Sequence, residues 1–129
     1  MKYVLDTSAF SAFNRGDVRL ERYLRSEHEI LVPLVVIAEL RAGFALGSRR
    51  AENDRILERL LNSSNVTVVS LNDETANVYA DVFLRQREVG RPVGANDMWI
   101  AASAIERDLP VLTLDHDFDG IVGLKVVEL

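Results

Sequence analysis

"KYVLDTS", residues 2–8, runs Tyr3, Val4 and Leu5 straight into a carboxylate, Asp6, and then two hydroxyls, Thr7 and Ser8. A strand that apolar along its length belongs inside a parallel sheet, covered on both faces. A crossover helix must then follow, and Asp6 stands at the seam between the two. An acid there either caps the helix or helps to floor a site. The choice depends on whether other acids gather beside it.

The rest of the chain repeats the alternation that this first segment begins. "EILVP" (29–33) is a second strand, stopped by Pro33. "VTVVSL" (66–71), "VLTL" (111–114) and "LKVVEL" (124–129) are short, rich in β-branched residues, and read as three more. Helical patterns fill the intervals. Segments 10–13 and 18–24 are broken by Asn14-Arg15-Gly16, and 34–47 ends at Gly47, a suitable helix stop. Ile56, Leu57, Leu60 and Leu61 fall at helical spacing. A long helix starts at Asn72 or Asp73, with Ala76, Tyr79, Ala80, Phe83 and Leu84 as its apolar stripe. After a loop at 90–94, Asn96 is the expected N-cap of a nearly all-apolar helix, 98–105. There is no repeat or linker, so residues 1–129 read as a single domain. The class this predicts is α/β: a three-layer α/β/α sandwich around a parallel sheet of about five strands.

The chain has 129 residues, 48% of them apolar and 27% charged, a globular composition. It has no cysteine, which excludes disulfides and thiolate zinc sites. The longest apolar run, 30–38, contains Pro33 and falls well short of the ~20 residues that cross a membrane. Lys2 meets Asp6 too soon for the apolar core of a signal peptide. The expected location is cytoplasmic. A net charge of −5 argues at first sight against a nucleic-acid partner. Of the fifteen basic residues, however, only Lys2 and Lys125 are lysines. The planar fork of arginine suits phosphate as well as surface ion pairs.

Function in open parallel sheets collects beyond the carboxyl ends of the strands. Asp6 follows the first strand and Asp115 the fourth, in "VLTLDHDF". If the chain winds one way from strand one and then the other way, those two strands become neighbours and the two acids face each other. Glu39, within "VVIAEL", and Asp97, in "NDMWIAASAI", lie on apolar helix faces, where a carboxylate is costly unless compensated. Asp97 gains something from the first turn of its helix; Glu39 gains less. Asp117 and Asp119 read as turn and cap residues, with Asp117 an outside candidate ligand. Carboxylates without His or Cys partners suit hard ions, Mg²⁺ or Mn²⁺. His28 reads as solvated and His116 as a turn residue.

Four blocks, "VLDTS", "VVIAELRAG", "GANDMWIAASA" and "VLTLDHDF", in this order and at these distances, resemble the PIN-domain ribonucleases, and among them the VapC-type toxins of toxin–antitoxin pairs. The resemblance implies sheet order 3-2-1-4-5 and an acidic metal site made of Asp6, Glu39, Asp97 and Asp115. It also implies that Thr7, Ser8 and Thr113 occupy the family's small polar positions, and that Asp115 stands at its most variable acid. The activity implied is a Mg²⁺- or Mn²⁺-dependent endoribonuclease acting on RNA of the transfer or ribosomal class. The implied partners are a cognate antitoxin and a second copy of the chain.

On this reading Asp6 and Asp97 hold the principal ion and Glu39 orients the attacking water. Arg41, Arg91 and Arg15 are candidates for holding substrate phosphates. Phe10, Phe13 and Leu20 are either antitoxin anchors or plain core. A free-standing PIN nuclease is the alternative within the family. A phosphoacceptor domain is the alternative outside it, and the sequence disfavours that. Ser8 stands where the phosphatase motif needs a second Asp, and Lys125 lies inside the last strand rather than at a receiver's lysine position. A purely structural α/β binding module is the remaining alternative.

Overall fold

A computed structural model describes all 129 residues. Strand β1 (Lys2–Leu5) leads into α1 (Thr7–Asn14), α2 (Val18–Glu21) and a 3₁₀ turn, Arg22–Leu24. Next come β2 (Glu29–Pro33), α3 (Leu34–Leu46), α4 (Arg50–Leu61) and β3 (Val66–Val69). The chain then forms α5 (Asp73–Glu88), α6 (Ala95–Glu106), β4 (Val111–Leu112) and a second 3₁₀ turn, His116–Gly120. Gly16 makes the break after α1 with φ +88°, a left-handed conformation that glycine adopts without steric cost.

The four strands pair in parallel in the order β3-β2-β1-β4. This is the expected arrangement, reversing direction at β1, with one strand fewer. Segment 124–129 supplies a single parallel bridge, Val126 to Val111, in place of a fifth strand. The cause lies in β4, which has only two paired residues, Val111 and Leu112. At Thr113 the chain leaves the ladder, and little edge remains for a neighbour. Tyr3, Val4, Leu5, Ile30, Val32, Val111 and Leu112 are fully buried, so the central strands form the middle of the core.

Several local expectations shift. Phe10 and Leu20 are completely buried and Phe13 packs against the core, so none of the three is a free anchor for a partner. Gly47 ends α3 in an extended conformation (φ −98°, ψ 174°) rather than a left-handed one. Gly94, not Asn96, precedes the first turn of α6. His28 is half-buried rather than solvated, its ring packed 5.8 Å from that of Tyr3 and 6.3 Å from that of Tyr23.

The stripe of α5 is rotated from the one predicted. Thr75, Val82 and Gln86 are buried, whereas Phe83 and Leu84 are about half exposed. Residues 75, 79, 82 and 86 share a helical face, and two of the four are polar. They are tolerated because they are bonded: Thr75 donates to Glu106 and Gln86 to backbone carbonyls. An apolar count along the helix misses such a face.

Candidate active site

The parallel register does the first part of the assembly. Val4 pairs with Val111 and Leu5 with Leu112, so Asp6 and Thr113 leave the sheet side by side at its carboxyl edge. Asp6 precedes α1 in an extended conformation, yet its side chain makes no capping bond to the helix. Its Oδ2 instead accepts from Thr113 Oγ1 at 2.7 Å and from Ser8 Oγ at 2.8 Å. No protein donor reaches Oδ1, and that atom is not sealed from solvent. The residue is only 3% exposed. Two hydroxyls grip one oxygen and leave the other free of protein donors.

The hydroxyls are fixed in turn. Ser8 Oγ accepts from the Leu114 amide at 3.0 Å, and Thr113 Oγ1 accepts from the Asp115 amide at 2.9 Å. The strand-end loop that carries Asp115 is thus tied to Asp6. Beyond it, Asp115 Oδ1 accepts from the Asp117 amide, starting the 3₁₀ turn.

Glu39, on α3, is half-buried and held at both oxygens. Thr7 Oγ1 donates to Oε1 at 2.9 Å, and Asn96 Nδ2 donates to Oε2 at 3.2 Å. Asn96, expected as a cap, therefore contributes to the site by orienting a carboxylate.

Asp97 lies in the first turn of α6, where the helix dipole favours a negative charge. The surroundings overrule that preference. Burial first, then the charges of Asp6, Asp115, Glu39 and Asp117, raise its pKa from the usual carboxylate range to about 6. Carboxylate oxygens of Asp97, Asp115 and Asp117 lie within 4.8 Å of one another. Asp97 thus sits tightly with Asp115 and Asp117 and feels the charges of Asp6 and Glu39 as well.

This donor set suits a hard divalent cation. Every candidate ligand is a carboxylate oxygen, and their mutual repulsion, visible at Asp97, is what a bound cation relieves. Of the four expected acids, Asp97 and Asp115 share the tight group with Asp117, whereas Asp6 and Glu39 lie close enough for their charges to act on Asp97 but outside that group. Asp117 is closer to the centre than its place in a turn suggested, because the 3₁₀ turn folds it back toward α6. The acid-rich string "DHDFD" was the only sequence signal for it.

Of the candidate phosphate ligands, Arg41 is engaged elsewhere, with Nη1 3.2 Å from Asp54 and Nη2 2.6 Å from Glu58 on α4. Arg15 is an exposed residue at the end of α1. Arg91 shares a crevice of about 230 Å³ with His116, Asp117 and Gly120. Thr7, Ser8 and Thr113 serve the carboxylates directly. Lys125 pairs with Asp108 on the surface, which leaves no lysine for a receiver-type site.

The PIN domain family model matches residues 3–124. The ribonuclease VapC5 of Mycobacterium tuberculosis is 34% identical over 132 residues, covering 98% of this chain and 92% of that protein. Among solved structures, VapBC-5 of M. tuberculosis, a member of the VapBC toxin–antitoxin family, superposes with a TM-score of 0.77 at 31% identity, covering 99% of this chain and 98% of that one. VapBC2 of Rickettsia felis, bound to a promoter DNA fragment, superposes with a TM-score of 0.85, covering 100% and 99%; at 22% identity it speaks for the fold alone. The chain belongs to the PIN domain family, in its VapC branch. No helix is long and apolar enough to cross a membrane.

Proposed function

We propose that the chain is a Mg²⁺-dependent endoribonuclease, with Mn²⁺ as a substitute, and the toxin of a toxin–antitoxin pair. The observation that carries this is the tight group of Asp97, Asp115 and Asp117, with Asp6 at the carboxyl edge of the sheet and Glu39 on α3 both close enough for their charges to act on Asp97. Asp6, Asp97 and Asp115 would hold the ion, with Glu39 and Asp117 alongside. A divalent ion bound there supplies an acidified water and neutralises charge on the phosphoryl group in the transition state. Glu39, fixed by Thr7 and Asn96, is placed to orient water or take a proton from it. Asp6 Oδ1, left open while Oδ2 is held, is the oxygen this residue would offer to an ion.

The substrate class is RNA, of the transfer or ribosomal kind, read in a single-stranded loop, since sequence-specific RNA recognition favours unpaired nucleotides. The VapBC-5 neighbour, at 31% identity, supports a cognate antitoxin as regulator, and a cytoplasmic location belongs to the same reading. Pairing with a second copy belongs to the same reading. Phe83 (49% exposed), Leu84 (56%) and Val89 (53%) offer apolar surface at the end of α5 for such a contact.

The experiment is RNA cleavage by the purified chain in Mg²⁺, in Mn²⁺ and in EDTA, with end analysis of the products. Cleavage lost in EDTA, restored by Mn²⁺ and leaving 5′-phosphates supports the assignment. Undiminished cleavage in EDTA contradicts it.

A further inference from the structure

Beside the acidic centre is a second built feature, an arginine seated on a glycine. A Cβ placed on Gly120 would lie 2.6 Å from Arg91 Cζ and 2.9 Å from both Nη1 and Nη2. A point directly over the face of a guanidinium has this pattern, with carbon nearest and the two nitrogens equally farther. The Arg91 fork therefore lies flat on the Gly120 backbone, and no residue with a side chain leaves it that seat.

The seat is held from below. Gln86 is 2% exposed, and its Nε2 donates to the backbone carbonyls of Arg91, at 2.9 Å, and Gly120, at 3.1 Å. Its Oε1 accepts from the Val122 amide at 2.8 Å, while the Arg91 amide donates to the Gln86 backbone carbonyl at 2.9 Å. One buried side chain thus grips the two residues whose stacking creates the seat. It commits both donors of its amide to them, and an apolar replacement would leave two buried carbonyls unpaired.

The guanidinium makes no side-chain hydrogen bond or ion pair of its own, in contrast to Arg41, which Asp54 and Glu58 neutralise. Its free edge opens into the crevice shared with His116 and Asp117, and Asp117 belongs to the acid cluster. An unpaired, pre-oriented arginine in a crevice that Asp117 also lines suits an anion that presents two oxygens to its fork, as a phosphodiester does.

We infer that Arg91, seated on Gly120 and positioned by Gln86, is a phosphate-binding subsite for an RNA nucleotide flanking the scissile bond. The inference rests on the ribonuclease reading above. It gives this acidic chain a fixed point of attraction for a polyanion, next to a centre that repels it until a cation binds. Arg91 binds substrate; Gln86 acts only through Arg91.

The test is binding and turnover with a labelled, mixed-sequence RNA oligonucleotide. Binding is measured in an Asp97→Asn background, which holds the RNA uncut, over a range of salt. Arg91→Ala and Gly120→Ala should each weaken it about tenfold at low salt and lower the slope of log K against log salt by about 0.7, one single-strand phosphate contact. Gly120→Ala should add nothing to Arg91→Ala, and Gln86→Leu should behave the same way. Arg59→Ala, on α4, is the control for the mere loss of a cation. With Asp97 intact, Gly120→Ala should raise KM and leave kcat near its starting value. Gly120 is not in a left-handed conformation, and the displaced atoms end a flexible side chain, so this variant folds. Unchanged affinity and slope in Arg91→Ala and Gly120→Ala, with the parent still cutting RNA, overturns the subsite and leaves the nuclease standing. Additive losses in the double variant overturn the seat. A parent that neither binds nor cuts RNA removes the nuclease reading and the subsite with it.

Discussion

Thr113 donates a hydrogen bond to Asp6 at 2.7 Å, joining residues 107 positions apart at the one place where β1 and β4 release the chain together. The same Oγ1 accepts from the Asp115 amide. A single hydroxyl therefore fixes a buried carboxylate and the loop that bears a second one. Thr113→Val keeps the shape and removes both bonds. A hydrogen bond to a charged group contributes roughly 1.5–3 kcal/mol, so the variant should lose stability on that scale at neutral pH. It should also lose most of its cleavage activity. Chemical denaturation and a cleavage assay check the two; wild-type values in both would remove Thr113 from the site.

Asp97 predicts a pH dependence with a definite sign. Its pKa is raised to about 6 in the folded chain, so between its ordinary range and pH 6 the folded state binds more protons than the unfolded one. Stability therefore falls as pH rises through that window, and the full cost is present above pH 6. A shift of this size is worth about 3 kcal/mol undiscounted, and partial solvent screening reduces it to about 1–2 kcal/mol. Asp97→Asn should accordingly be more stable than wild type at pH 7 by that amount, and equal to it near pH 4. Denaturant midpoints across pH decide this. A variant less stable at pH 7 would show that the cluster does not repel itself.

Much of this was legible in the residues. Each of the four expected acids was placed by a simple rule: a carboxylate at the end of an apolar strand, or on an apolar helix face. A chain that winds one way from β1 and then the other makes β1 and β4 neighbours, and the resemblance to the PIN-domain ribonucleases implied the rest of the strand order. What escaped the sequence were contacts whose logic is not apolar. The buried face of α5 contains Thr75 and Gln86, whose burial is tolerated only through partners on Glu106 and on the 90–94 and 120–122 backbones. Asn96 looked like a cap because caps and carboxylate donors use the same side chain. The fifth strand was lost for a local reason, since β4 is too short to template it.

Divalent metal should raise the melting temperature, because an ion that binds only the folded chain stabilises it by mass action, about 2.7 kcal/mol at a hundredfold excess over its Kd. Mg²⁺ and Mn²⁺ should both act, and more strongly above pH 6, where protons no longer compete for Asp97. Glu39→Gln should shrink the shift if Glu39 stands in the ion's inner shell. A full shift in that variant would place Glu39 outside it, as a residue that orients water only. Thermal melts with and without metal, at pH 5 and pH 7.5, separate these outcomes.

The central claim is that the carboxylates meeting at Asp97 form a metal-dependent centre that cuts RNA. Its most direct test is single-turnover cleavage of an end-labelled RNA during a Mn²⁺ titration, for wild type, Asp6→Asn and Asp97→Asn, each verified as folded. Wild type should show saturable, Mn²⁺-dependent cleavage, and both variants should lose at least a hundredfold, ~3 kcal/mol of transition-state stabilisation. Cleavage by either variant at close to the wild-type rate, with the same dependence on Mn²⁺, would contradict the claim.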